Sequence, residues 1–215
     1  MALPDYEAMR RRMVEQQIAA RGIDDPRLLD AFRTVPREMF VAPEYQASAY
    51  SDGPLPIAAG QTISQPYIVA LMIAAAEVGP EDNVLEVGAG SGYAAAILGK
   101  VARVVIAIER HPTLAEEARE RIAALGLANV TIVDADGTRG WPENAPFDAI
   151  LVAAAADRVP QPLLDQLQNP GGRLAIPVGG QGWSQSLIKV VRNGAEEYQT
   201  TDLGGVRFVP LISDD

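Results

Sequence analysis

The segment Asn83-Val84-Leu85-Glu86-Val87-Gly88-Ala89-Gly90-Ser91-Gly92-Tyr93 constrains the fold more than any other stretch of the chain. Val84, Leu85 and Val87 read as the end of a buried strand, and the Ala-rich run Tyr93–Lys100 that follows the glycines reads as a helix. Between them Gly88, Gly90 and Gly92 supply a turn in which backbone can approach a ligand closely and adopt dihedrals that other residues avoid. The start of the helix offers N–H groups with no intrahelical partner. Strand, glycine turn and helix in this order form a nucleotide-type binding loop, and the loop alone leaves open which nucleotide-bearing ligand it holds.

The pattern of the loop continues to the C-terminus. Strands are expected at Asn83–Val87, Arg103–Ile108, Val130–Val133, Phe147–Val152, Arg173–Val178, Ser186–Val191 and Tyr198–Val209, the last interrupted at Gly204-Gly205. Helices are expected at Tyr93–Lys100, Thr113–Leu125 and Pro160–Gln168. Such alternation predicts an α/β fold with an open, mostly parallel sheet and helices on both faces. Before it come a helix over Tyr6–Ala20 ending at Gly22, a second running from Asp24-Asp25-Pro26 to about Thr34, and a third over Tyr67–Glu77. Pro36–Gln65 is a proline-punctuated loop whose aromatic content argues for function, since long irregular loops inside compact domains are usually functional or disordered. The length of 215 residues fits a single domain: residues 1–79 as an N-terminal helical and loop cap, and 80–215 as an α/β core.

Composition narrows the chemistry. The absence of cysteine excludes disulfides, thiolate catalysis and Cys-based metal sites. The single histidine, His111, is expected to be a solvated loop residue, so no metal site is expected. A net charge of −10 counts against nucleic acid and anionic membranes as partners, and the cluster Arg10-Arg11-Arg12 reads as a solvated helix face. With no apolar run long enough to span a bilayer and no signal-like start, a cytoplasmic protein is expected.

Three acids choose among the ligands the loop could hold. Glu86 precedes the first glycine by two residues, where a carboxylate can accept hydrogen bonds from a ligand amine and would oppose a diphosphate. Glu109, 17 residues after Gly92, closes the second strand and is placed to take ribose hydroxyls. Asp136-Gly137 follows the third strand, where the carboxylate could meet an adenine amine and Gly137 could let the ring lie against backbone; an Asp-Gly turn is the alternative. Both S-adenosylmethionine and NAD carry such a ribose, so Glu109 does not choose between them; Glu86 favours S-adenosylmethionine.

Further segments carry a specific resemblance. Gly60-Gln61-Thr62-Ile63-Ser64-Gln65-Pro66-Tyr67, with Pro36-Arg37-Glu38-Met39-Phe40-Val41, Val84–Tyr93, Pro170-Gly171-Gly172-Arg173-Leu174 and Arg207-Phe208-Val209-Pro210-Leu211, resembles the protein-L-isoaspartate O-methyltransferase family. The resemblance runs from the first helix almost to the C-terminus and implies a Rossmann-like class I S-adenosylmethionine-dependent methyltransferase fold. It implies methyl transfer to the free α-carboxylate of L-isoaspartyl residues in damaged proteins and peptides, with spontaneous closure of the ester to a succinimide. By the same resemblance Ser64 is the active-site serine that orients the substrate carboxylate, with Thr62, Ile63, Val209 and Pro210 at the substrate and Glu86, Gly88, Gly90, Gly92, Glu109, Asp136 and Gly137 at the cofactor. Ser64 could also cap the helix that starts at Pro66. Ala153 and Ile212 stand where many members have Thr. The expected enzyme is a monomer without a metal. Its rivals are a methyltransferase acting on a small molecule, an NAD-dependent oxidoreductase and a catalytically silent S-adenosylmethionine-binding module.

Overall fold

A computed structural model describes residues 4–180 and 184–213. The N-terminal region builds α1 (Tyr6–Met13), α2 (Pro26–Thr34) and α3 (Pro66–Ala75), with a two-stranded antiparallel ribbon of β1 (Leu55–Pro56) and β2 (Thr62–Ile63) between the last two. The core continues with β3 (Asn83–Val87), α4 (Tyr93–Val101), β4 (Val104–Glu109), α5 (Pro112–Ala124), β5 (Val130–Asp134), β6 (Ala149–Val152), α6 (Gln161–Asp165), β7 (Arg173–Val178), β8 (Gln185–Arg192) and β9 (Tyr198–Val206).

The local start and stop signals act as the sequence predicts. Asp25 accepts a hydrogen bond from Arg27 N at 2.9 Å and Pro26 occupies the first turn of α2, so an orphan donor is satisfied where proline does no harm. The first helix is not uniform, however. It passes through a π-helical turn at Val14–Ile18 and a 3-10 turn at Ala19–Arg21 before Gly22 closes it at φ 89°; the distortion accompanies the full burial of Val14 and Ile18.

Seven strands form one sheet in the order β5-β4-β3-β6-β7-β8-β9. The first five pair in parallel; β8 then pairs antiparallel with β7, and β9 antiparallel with β8. The chain leaves β3 toward β4 and β5, then returns to the other side of β3 as β6, which opens a crevice at the strands' carboxyl ends. The strand period of two sorts the core. Val84, Val105, Ala107, Leu151 and Ala175 face a cluster drawn from α2 to α5, while Leu85, Val87, Ile106, Ile108, Ile150 and Leu174 pack with Phe147, Leu163 and Leu167 on the opposite face. Glu86 shares the phase of Val84 and therefore lies on the side of the N-terminal helices.

Four expectations change. The Pro36–Gln65 segment is folded rather than patternless: it carries 3-10 turns at Arg37–Phe40, Pro43–Ser48 and Ala58–Gly60 besides the ribbon, and Phe40 and Tyr50 are buried anchors. Arg10 does not sit on a solvated face, because its Nε donates to the Tyr50 hydroxyl at 2.8 Å while Glu38 accepts from both Tyr50 and Arg10. Helix α6 is a short segment of five residues rather than the predicted Pro160–Gln168. Finally, β9 runs through Gly204-Gly205 with a bulge opposite Ser186 and Ile188 and stops at Val206; Gly204, at φ 107°, takes up the irregularity. The chain beyond β9 is bridged to Ala155 through Ala155 N to Val209 O at 2.8 Å and Leu211 N to Ala155 O at 2.7 Å. No helix of the described residues is long and apolar enough to cross a membrane.

Candidate active site

The glycine loop leaves β3 at the crevice and is tied to the end of β4. Gly88 N and Ala89 N both donate to Ile108 O, at 2.8 and 2.9 Å, and Gly90 N donates to Glu109 Oε2 at 2.8 Å. Gly88, Gly90 and Gly92 all take positive φ. At Gly92, φ is 86° and an added Cβ would stand 3.1 Å from Ala118 Cβ, so both backbone conformation and contact with α5 require glycine.

Glu86 is 1% exposed, and its Oε2 has no hydrogen-bond partner among the described residues. Burial, reinforced by the nearby Glu109 charge, holds its carboxyl well above the usual carboxylate range. An unpaired carboxylate in such a place is costly unless a ligand completes it, and a ligand amine is the complementary group. Glu109 ends β4 with both oxygens engaged, Oε2 by Gly90 and Oε1 by His111 N at 2.9 Å; each oxygen retains a further acceptor position for a ligand hydroxyl. His111 is half-buried beside it as the N-cap of α5, not fully solvated. Asp136 caps the short turn Gly137–Arg139, its Oδ1 accepting from Thr138 N at 2.8 Å and Thr138 Oγ1 at 2.7 Å. Of this pair it is Gly137 that lines the cavity beside Glu109, and a Cβ there would meet Val87 Cγ1 at 2.5 Å.

Three hollows meet at Thr62 and Ala153. The inner one is bounded by Ile63, Ser64, Met72, Glu86, Gly88, Tyr93 and Leu151. The second runs past Glu109, Arg110, His111 and Gly137 to Leu211 and Ile212. The third is an open cleft of about 600 Å³ between Pro54, Ser64, Gln65 and Ile68 on one side and Gly205–Val209 on the other. Ser64 belongs to both the inner hollow and the cleft, and its hydroxyl has no hydrogen-bond partner among the described residues. It is not the cap of α3: Gln65 holds that position and makes no side-chain cap bond. Val209 stands between the cleft and the hollow of Glu109, whereas Pro210 lines that hollow and a neighbouring cavity but not the cleft. Ala153, one of the two departures, is at the junction itself, and Ile212 is at the outer rim.

Sequence reasoning assigned no role to Arg37, which is fully buried with no carboxylate partner among the described residues. Its Nε donates to Ala49 O at 2.7 Å and its Nη2 to Ser64 O at 2.9 Å, and the guanidinium lies 4.8 Å from the centre of the Tyr93 ring. Burial lowers its pKa and pushes the Tyr93 phenol up to about 12. Arg37 thus joins the backbone of the Ser64 segment to the first residue of α4. The only signal in the sequence was that Arg37 stands inside Pro36–Val41, a segment that carries the family resemblance.

The family model described as protein-L-isoaspartate(D-aspartate) O-methyltransferase matches residues 8–215. The chain belongs to this family. Protein-L-isoaspartate O-methyltransferases of Methylorubrum populi and Methylorubrum extorquens are 58% and 56% identical to it, over 96% and 98% of this chain and 96% and 91% of their own. A crystal structure of the putative protein-L-isoaspartate O-methyltransferase from Plasmodium falciparum, in complex with S-adenosyl-L-homocysteine, superposes with a TM-score of 0.81 at 27% identity over 94% of this chain and 98% of that one. As a member, the chain is a class I S-adenosylmethionine-dependent methyltransferase. Its own residues fit that cofactor: the orphaned oxygen of Glu86 suits an amine, and the two oxygens of Glu109 keep acceptor positions for hydroxyls, while the missing side chain of Gly137 makes room for Val87 at the edge of the same hollow. No group of three or more His, Cys, Asp or Glu that could hold a metal occurs among the described residues.

Proposed function

We propose that this chain repairs damaged proteins by methylating the free α-carboxylate of L-isoaspartyl residues, with Ser64 as the residue that holds that carboxylate. The observation that carries the proposal is the placement of Ser64 where the cleft opens into the inner hollow, its hydroxyl without a protein partner. S-Adenosylmethionine, when bound, supplies an electrophilic methyl group on a sulfonium sulfur. Glu86 accepts hydrogen bonds from its amino group, Glu109 takes the ribose hydroxyls, Gly88, Gly90 and Gly92 let backbone approach it, and Asp136-Gly137 borders the adenine.

The acceptor is a carboxylate already ionised at neutral pH, so the chain needs no strong general base. Its work is orientation and exclusion of water. Ser64 donates to one carboxylate oxygen, Thr62 and Ile63 close the junction, and Val209 and Pro210 bound the far side. Arg37 fixes the Ser64 backbone from behind. Residues 1–79 act as a cap on the core of 80–215, in one domain working as a cytoplasmic monomer on protein and peptide substrates; the net charge of −10 disfavours nucleic acid and anionic membranes.

The test is radiolabelled methyl transfer to an isoaspartyl peptide and to its normal aspartyl counterpart. Base-labile methyl ester should form on the first only. Equal activity on both, or none on either, refutes the repair function.

A further inference from the structure

We infer that Arg207 reads negative charge beside the isoaspartyl residue, so that the enzyme prefers damaged sites flanked by acidic residues. The inference rests on the assignment of the cleft to the peptide substrate. It starts from an asymmetry of charge: the protein as a whole carries −10, yet among the described residues that line the 600 Å³ cleft Arg207 is the sole charged one. It directly precedes Phe208 and Val209 on the wall opposite Ser64, in the segment that leaves β9 at Val206.

Arg207 is exposed and makes no hydrogen bond or ion pair among the described residues. Among the described residues, neither Asp52 nor Asp157 pairs with it. Asp52, behind the Pro54 side of the cleft, is already engaged by Arg21 and by Gln65 Nε2, the latter at 2.7 Å. Asp157 lies across a second cavity of about 530 Å³ that Arg207 also borders, without forming an ion pair with it. A planar guanidinium with five donors and no internal partner, on the wall of an otherwise neutral cleft, is suited to a carboxylate brought in by the substrate. Without it, the field of a −10 protein would disfavour acidic peptides.

The experiment uses the full-length enzyme and three isoaspartyl peptides that differ only in carrying Glu, Gln or Lys at the two positions on either side of the isoaspartate, with kcat/KM measured at low and high salt. Wild type should favour the Glu peptide over the Lys peptide by about two- to five-fold, the range of an exposed ion pair, and the preference should shrink in 1 M salt. Arg207→Lys should keep the order of preference, Arg207→Gln should flatten it, and Arg207→Glu should invert it. Thermal melts of the variants exclude misfolding as the cause. If wild type methylates the Gln peptide but shows no charge preference, or if Arg207→Gln keeps the wild-type ratio, the inference fails and the repair function stands. If no isoaspartyl peptide is methylated, both fail.

Discussion

Replacing Glu86 with glutamine is expected to stabilise the ligand-free protein while weakening its hold on the cofactor. The carboxyl is buried, one oxygen lacks a partner, and burial together with the Glu109 charge raises its pKa well above the ordinary value of 4.5. A group whose folded pKa is raised favours the fold fully only below its unfolded pKa, and that advantage is lost as pH rises through the folded value. Near pH 4 and below, the wild type and Glu86→Gln should therefore be nearly equal in stability. Above that, the wild type loses about 1.4 kcal/mol per pH unit relative to the variant until the folded pKa is passed. A buried unsatisfied polar group costs roughly 1–3 kcal/mol and a charged one more, so a gain of about 1–3 kcal/mol at pH 7.5 is expected. In a domain of this size that raises Tm by about 2–12 °C. The amide loses the charge-assisted bond to the ligand amine, worth roughly 1.5–3 kcal/mol, so Kd for S-adenosylmethionine should rise about 10- to 150-fold. The assay is a pair of melts for each protein, with and without cofactor, over a pH series, with calorimetry for Kd. The reasoning is refuted if the variant melts lower at neutral pH and binds the cofactor as tightly as wild type, for then Glu86 is a structural group completed by the protein itself.

Ser64→Ala should reduce kcat on an isoaspartyl peptide at least tenfold while stability changes by no more than about 0.5 kcal/mol, because the hydroxyl makes no bond among the described residues; a large fall in cofactor affinity in the binding assay would place Ser64 elsewhere. Gly137→Ala puts a methyl group 2.5 Å from Val87 Cγ1 and should cost about 1–3 kcal/mol, with a weaker cofactor-induced Tm shift than wild type; unchanged melting with and without cofactor would contradict that contact. Arg37→Met removes the donors to Ala49 O and Ser64 O, and denaturant unfolding should show a loss of about 2–4 kcal/mol, with Arg37→Lys recovering part of the activity on peptide but not the stacking on Tyr93; full activity in the methionine variant would show that Ser64 needs no support from behind.

The sequence by itself determined the parts that local chemistry decides. The strand–glycine–helix unit at Asn83–Tyr93, the acid at the end of β4, the start of α2 at Asp25-Pro26 and the parallel alternation from β3 to β7 all follow from periodicity, capping and glycine's backbone freedom, which act within a few residues. The family resemblance added the Ser64 segment for the same reason, as a run of adjacent residues. Tertiary structure decided what depends on distant partners. Nothing local shows that Arg10 turns inward to Tyr50 and Glu38, that Arg37 grips the carbonyl of Ser64, or that Thr62 and Ala153 share one junction. Likewise the fate of Pro36–Gln65 rested on whether its aromatics found a core to enter, and the course of β9 on a bulge that only its pairing with β8 could fix. The glycine loop was legible because its turn follows from adjacent glycines; the cleft exists only because segments far apart in sequence, Thr62–Gln65 and Gly205–Val209, are folded face to face.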